Sequence, residues 1–437
     1  VNDFDDVVDF SNSGANNVVL SDNDDILLGV VNVGTGTLQV DGVGITQNAG
    51  DTITQAAGAG AVTMNAGAGL LTLDQGNDFT GAVELNNSGA NAAQINDTNT
   101  LTISQTNLGD SLDIDAGGNL TLGSAGSITA GNDITADTSA GDCTVSNQID
   151  SGGGLVTINP AGVIYLNFNG TVVTSSDGNI TFDSNVVLNQ NTTVNSVNVG
   201  GGDIIFTGTV NSDATDRNFT LVAGTGNIDQ QNVIGTTNPI AVFTLTSGTM
   251  DMNSNNFTCS GNFVISSGTM DVDVGNAVGA NTISIAGDWN NSGSFQERQG
   301  LVEFTGNGSI VNNEVSFYNL EVSAGTRTAN AGFTVSNNLT LSGGTLQGTG
   351  NITVSNGNLA LTGGTFTGSG TVGVSTGNVN VSAGTYSGSN TLTVSAGNIA
   401  VSGTGVFSPS GNTVLTAGDM TVSGGTSNPT GTVTFNG

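Results

Sequence analysis

The chain has 437 residues, with 35 Asp and Glu against three Arg and neither Lys nor His, for a net charge of −32. With no basic footprint to neutralise phosphates, nucleic acid and anionic lipid surfaces are excluded as partners. Apolar residues make up 36% of the chain, mostly Val, Leu and Ile at regular spacing, so the glycine-rich, polar composition is that of a folding chain rather than a disordered one.

The N-terminal stretch VNDFDDVVDF has no basic region and no apolar run, so a signal peptide is expected to be removed or to lie upstream. No later stretch approaches the ~18–20 apolar residues of a membrane span, and no membrane insertion is expected. Twenty of the 35 acidic residues fall in the first 150 positions. Two turns there are rich in oxygen donors: Asp3, Asp5 and Asp6, then Asp22, Asp24 and Asp25. Oxygen-rich turns suit Ca²⁺, which makes these six residues the candidate metal ligands and Ca²⁺ the one candidate ion; no other cofactor is expected. Neither turn matches the D-x-[DN]-x-[DN]-G loop, so diffuse counterion binding competes with a defined site.

The segment NDFDDVVDFSNSGAN (2–16) returns as NDFTGAVELNNSGAN (77–91), nine of fifteen positions being identical at a spacing of 75. That spacing is close to four coils of roughly nineteen residues. Cys143 and Cys259 each sit in an alternating apolar stretch, which marks them as small buried side chains. At 116 residues apart, five or six coils, they are too distant along a stack to form an intrachain disulfide. Pro239, in GTTNPIAV, marks a seam between a section at 1–236 with the 75-residue repeat and a section at 237–437 with tighter coils, the second continuing the first without a flexible linker. Between 289 and 333 lie the only Trp, two of the three Arg and Phe295, Phe304, Phe317, Tyr318 and Phe333. These rings either offer a platform for sugars or fill a wide coil, and filling is the expectation.

From 338 onward the chain repeats every twenty residues: NLTLSGGTLQGTGNITVSNG is followed by NLALTGGTFTGSGTVGVSTG, with eleven identities. Apolar positions recur with period two, the pattern of half-buried strands. Three short strands per repeat cannot bury one face alone, but stacked on like neighbours they enclose a continuous core. The expected fold is all-β: a right-handed parallel β-helix, or β-solenoid, of about 20 residues per coil. Leu346, Phe366 and Tyr386 should stack in one interior column, and Val354, Val374 and Val394 in another. Asn338, Asn358, Asn378 and Asn398 form a further column, read as a structural ladder of amides bonded from coil to coil. Glycines at 343, 344, 348, 350 and 357 are assigned to turns that need φ > 0.

The NDF…NSGAN unit and GNLTLGSAGSITAGNDIT (118–135) resemble the shaft of filamentous-haemagglutinin-like adhesins and autotransporter passengers. The segment IAGDWNNSGSFQERQGLVEFTGNGSIVNNEVSFYNLEVSAGT (285–326) resembles a module of very large secreted bacterial repeat proteins, and the closing GTVTFNG resembles the start of another such turn. The resemblance covers most of the chain and implies an extracellular, cell-surface location. It also implies that these residues belong to something longer, with host-cell or matrix carbohydrate or protein as partner.

Enzyme chemistry finds little support. Lyases of this shape generally use an Arg or Lys base beside Ca²⁺-binding Asp residues, and Arg217, Arg298 and Arg327 are scattered. Carboxylate pairs with hydrolase spacing, Asp113/Asp115 and Asp271/Asp273, arise by chance in an acidic chain, and no His is present to serve a hydroxyl nucleophile. An ice-binding surface would need aligned T-x-T columns, and Asn351/Thr353, Thr371/Gly373 and Thr391/Thr393 do not supply them. The reading that remains is a non-enzymatic extracellular rod, the shaft of an adhesin or large repeat protein. The alternative is a filament or sheath subunit that associates with itself end to end.

Overall fold

The computed structural model describes residues 2–272, 281–311 and 315–436. Among them there are strands and turns and no helix, hence none long and apolar enough to cross a membrane. The chain is a parallel β-solenoid. It divides into two units, Val1–Asn232 and Val233–Gly437.

In the first unit the strand Leu112–Ala116 shows how sequence becomes coil. Its side chains alternate between buried and half-buried. It lies parallel between Ala93–Asp97 and Ile134–Thr138, with Ala93, Leu112 and Ile134 in one register. Val156, Ile180, Ile204 and Ile228 carry the same inward column onward. All of these residues are at most 1% exposed, and each Leu, Ile or Val buried this way contributes roughly 1.5–3 kcal/mol. Coil length here varies. Ala93 to Leu112 is 19 residues, Leu112 to Ile134 is 22, and Ile180 to Ile204 is 24.

This variation corrects the expected match between the 75-residue repeat and four coils. Asn2 bridges Asp22, Asp22 aligns with Gly42, and Gly42 with Ala66, which makes three coils. Asn77 comes eleven residues later on another wall, where it pairs with Asp97.

The second unit is more regular from residue 315 on, with three strands per coil. Leu320, Leu339, Leu359, Val379 and Ile399 form one inward column. Leu346, Phe366 and Tyr386 lie in successive register in a second, and Val354, Val374 and Val394 in a third. None of these six exceeds 2% exposure. The Phe366 and Tyr386 rings stack with centroids 4.9 Å apart, and Tyr386 stacks on Phe407 at 5.5 Å.

The glycines of these coils serve a different purpose from the expected one. Only Gly348 of the five has a positive φ, 124°. At Gly357 the difficulty is proximity: a Cβ would lie 2.5 Å from the carbonyl carbon and oxygen of Asn337. The turns of successive coils sit directly on one another, and a side chain would push them apart.

Candidate functional site

The acidic N-terminal turns resolve into a backbone clamp. Asp22 is 7% exposed, and its Oδ2 accepts the amide of Phe4 in the preceding coil at 2.8 Å. Its Oδ1 accepts the amides of Asn23 (2.6 Å) and Asp24 (3.4 Å). Asp3, Asp5, Asp6, Asp24 and Asp25 are exposed, and Asp6 Oδ1 accepts the amide of Val7. Seventy-five residues on, the arrangement recurs: Asp97 Oδ2 accepts the amide of Phe79 at 2.6 Å and its Oδ1 that of Asn99 at 2.8 Å. Burial holds the Asp97 carboxyl above its ordinary range, against the two amides that lower it. Thr98, Asn99 and Thr100 follow Asp97 where Asn23, Asp24 and Asp25 follow Asp22, so the clamp works without the neighbouring acids. Among the described residues no group of three or more carboxylate or thiol side chains converges to hold a metal.

The asparagine column bonds to the backbone rather than amide to amide. Asn338 Oδ1 accepts the amide of Asn358 at 2.9 Å, and Asn358 and Asn378 do the same for Asn378 and Asn398 at 2.8 Å. Asn398 passes the bond to Asp419. Sequence reading missed how general this device is. In the first unit Asn119 accepts from Asp142 and Asp142 from Val163, while Asn179 accepts from Asp203 and Asp203 from Asn227. Each of these residues comes just before a strand or its first paired residue, where one side-chain oxygen can take up an amide that would otherwise lack a partner. Asp serves as well as Asn, because only an acceptor is needed. Part of the acidic composition therefore consists of ladder rungs.

Most of the aromatic segment fills its coil: Trp289, Phe304, Phe317 and Phe333 are buried, whereas Phe295 and Tyr318 are half-buried. Trp289 is fully buried and stacks on Phe263 with centroids 5.2 Å apart and planes within 8°. Phe295 and Phe317 meet its ring edge-on. Within this packing lies an interior cation. Arg327, 0% exposed, occupies the inward column beneath Leu346, with its guanidinium carbon 3.8 Å from the Phe304 ring centroid. Its two terminal nitrogens donate to the carbonyls of Gly287 (2.5 Å) and Gly306 (3.2 Å), and burial pulls its pKa down to about 10. Gly308 makes the room, since a Cβ there would lie 2.5 Å from Nη1. Counting back one coil from Leu346 would have found this residue, because the alternation calls for an apolar side chain where Arg327 stands.

The carboxylate pairs of hydrolase spacing are placed as follows. Asp113 and Asp115 lie half-buried on the outward side of one strand with Asp137 in register above Asp115. Burial and the neighbouring carboxylates hold Asp113 and Asp115 above the usual range. Asp271 forms a two-pronged ion pair with Arg298, and Asp273 lies outside the described residues. Two shallow depressions, of about 250 and 370 Å³, are lined by amides, hydroxyls and backbone without a carboxylate.

Both cysteines are buried thiols, and burial pushes the Cys143 thiol up to about 12. Neither is expected to react with a thiol-exchange reagent in the native chain, and two per chain should react after denaturation. A fast-reacting thiol under native conditions would contradict this packing.

A family model for repeats of unknown function, DUF5649, matches residues 15–86. That span holds Asp22, Asp24 and Asp25 and the start of the second NDF unit. No curated protein matches the chain. No solved structure matches it.

Proposed function

We propose that the chain is structural shaft material of an extracellular bacterial surface protein, carrying or spacing adhesive surfaces that meet carbohydrate or protein of a host cell or matrix. The observation that supports this most is how the polar side chains are used. The pre-strand Asn and Asp residues bond coil to coil, and two of the three Arg are paired with Asp. A polypeptide whose pre-strand Asn and Asp side chains hold its own stack together is suited to persistence and reach, each coil adding about 4.8 Å along the axis.

Immunogold labelling of the native producing cells with an antibody against the folded chain tests this. Label is expected outside the cell envelope, attached to the surface. Label along detached continuous fibres would favour a self-assembling filament, and label confined to the cell interior would overturn both readings.

A further inference from the structure

The register assembles a surface that the sequence pattern hides. The stretches TLQGT (345–349), TFTGS (365–369), TYSGS (385–389), VFSPS (406–410) and TSNPT (426–430) lie one above another in parallel. Thr345, Thr365, Thr385, Val406 and Thr426 are in direct register. The backbone bonds of the residues that follow extend the match through Thr349, Ser369, Ser389, Ser410 and Thr430. The second and fourth residues of each stretch point inward, and the other three point outward, half-buried or exposed. The result is a grid of three columns by five rows, in which every side chain is Thr or Ser except Gln347, Val406 and Asn428.

Three properties of this grid bear on what it binds. It carries no charge, in a chain of net charge −32, and Asp419 is the only charged residue between 338 and 437. Its hydroxyls are largely unused: among the described residues only those of Ser369 and Ser387 donate to protein carbonyls. It is also backed by the stacked rings of Phe366, Tyr386 and Phe407, with the Tyr386 hydroxyl bonded to Asn390, so the floor beneath it is rigid.

The spacing is about 4.8 Å between rows and about 6.7 Å between columns, and the area is roughly 400 Å². That is about half of what a stable protein partner covers on each side. No aromatic ring is exposed on the grid to stack on a sugar, and no charge is there to meet an ionic polymer. A partner with its own lattice needs neither, because each hydroxyl both donates and accepts and a rigid grid loses little freedom on binding.

We propose that this face binds ice, its hydroxyl ranks holding water in the two-dimensional repeat of a crystal plane. Val406 keeps the branched shape of threonine in its column. The T-x-T pattern weighed from the sequence fell on the neighbouring strands at 351–353, 371–373 and 391–393; the hydroxyl columns lie one strand earlier in each coil.

The test is ice-crystal shaping and thermal hysteresis with the full chain, alongside Thr367→Tyr on the grid and Thr353→Tyr, an exposed position on the strand Ile352–Val354 of the same unit. Thermal unfolding confirms that each is folded. The native chain should facet ice crystals and give measurable hysteresis. Thr367→Tyr should lower the hysteresis at least about fivefold, and Thr353→Tyr should leave it unchanged. If Thr367→Tyr does not fold, Ser389→Tyr on the outermost column takes its place with the same expectation. Smooth, disc-shaped crystals with the folded native chain would overturn the proposal, as would equal losses, or no loss, in the two variants. A failure here leaves the shaft reading intact, since that reading rests on the coil-to-coil bonds of the pre-strand Asn and Asp residues and is tested by location, not by ice.

Discussion

Replacing Gly377 by Ala should destabilise the second unit by more than about 4 kcal/mol, beyond the range of an ordinary surface substitution. The added Cβ would sit 1.8 Å from the carbonyl oxygen of Gly357 and 2.4 Å from its carbonyl carbon. Both are backbone atoms of the turn below, fixed by pairing on either side of it, so no flexible side chain can yield. Gly397 stands in the same relation to Gly377, and Gly418 to Gly397, each with an oxygen 2.1 Å from the new atom, so the strain is not relieved by a shift of one coil. The matched control is Gly373→Ala. That glycine lies on the outward side of the strand Val372–Val374, and a methyl group added there would meet nothing within 4 Å. Removing its unfolded-state freedom should add about 0.4–1 kcal/mol. Denaturant unfolding of the two variants measures both. Equal effects of the two substitutions would show that stacked turns are not what excludes side chains from position 377.

Arg327→Ala should cost about 4–6 kcal/mol. The carbonyls of Gly287 and Gly306 would lose their donors at about 1–3 kcal/mol each where they are buried, the contact with Phe304 would go, and a large void would remain. Arg327→Met separates these contributions. It refills most of the volume and removes a desolvated charge, a change that is often favourable by itself and that offsets part of the loss at the two carbonyls, so its net cost should be about 1–3 kcal/mol. Chemical denaturation of both variants gives the comparison. An alanine variant within about 1 kcal/mol of the native chain would mean that the guanidinium is not an interior group.

The regular coils were legible because identical neighbours impose identical demands. When every coil has the same length, an inward column reads directly as a twenty-residue repeat, and Leu346, Phe366 and Tyr386 follow from counting. The same counting fails in the first unit, where coils of 19 to 27 residues let turn insertions move each repeat around the perimeter. Asn2 and Asn77 then share a local sequence and an aspartate clamp while lying on different walls. Glycine shows a different limit. Its presence at a turn was legible, but the reason was not, because φ is a property of one residue whereas crowding is a property of two coils. Arg327 was obscured by its type. A lone cation suggests surface or catalysis, and only its place in the column, above a glycine and beside a ring, marks it as core. The hydroxyl grid was overlooked because the threonines considered were those spaced most neatly within one strand, while the grid spans five coils and mixes Thr with Ser.

The side-chain ladder has a direction. In each link cited for it the oxygen belongs to the earlier coil and the amide to the later one: Asn338 before Asn358, Asn119 before Asp142, Asn179 before Asp203. A finished coil therefore carries a row of acceptors, already positioned, that stay unmatched until the following residues arrive. The clamps at Asp22 and Asp97 run the other way, fastening backward onto Phe4 and Phe79. A chain folding from its N-terminus meets in these ladder links a template specifying where the next segment starts, one coil of about 20 to 27 residues away. Such a protein does not have to search for distant partners: it can wind itself up one coil at a time, and each new turn completes bonds that the previous one had left open.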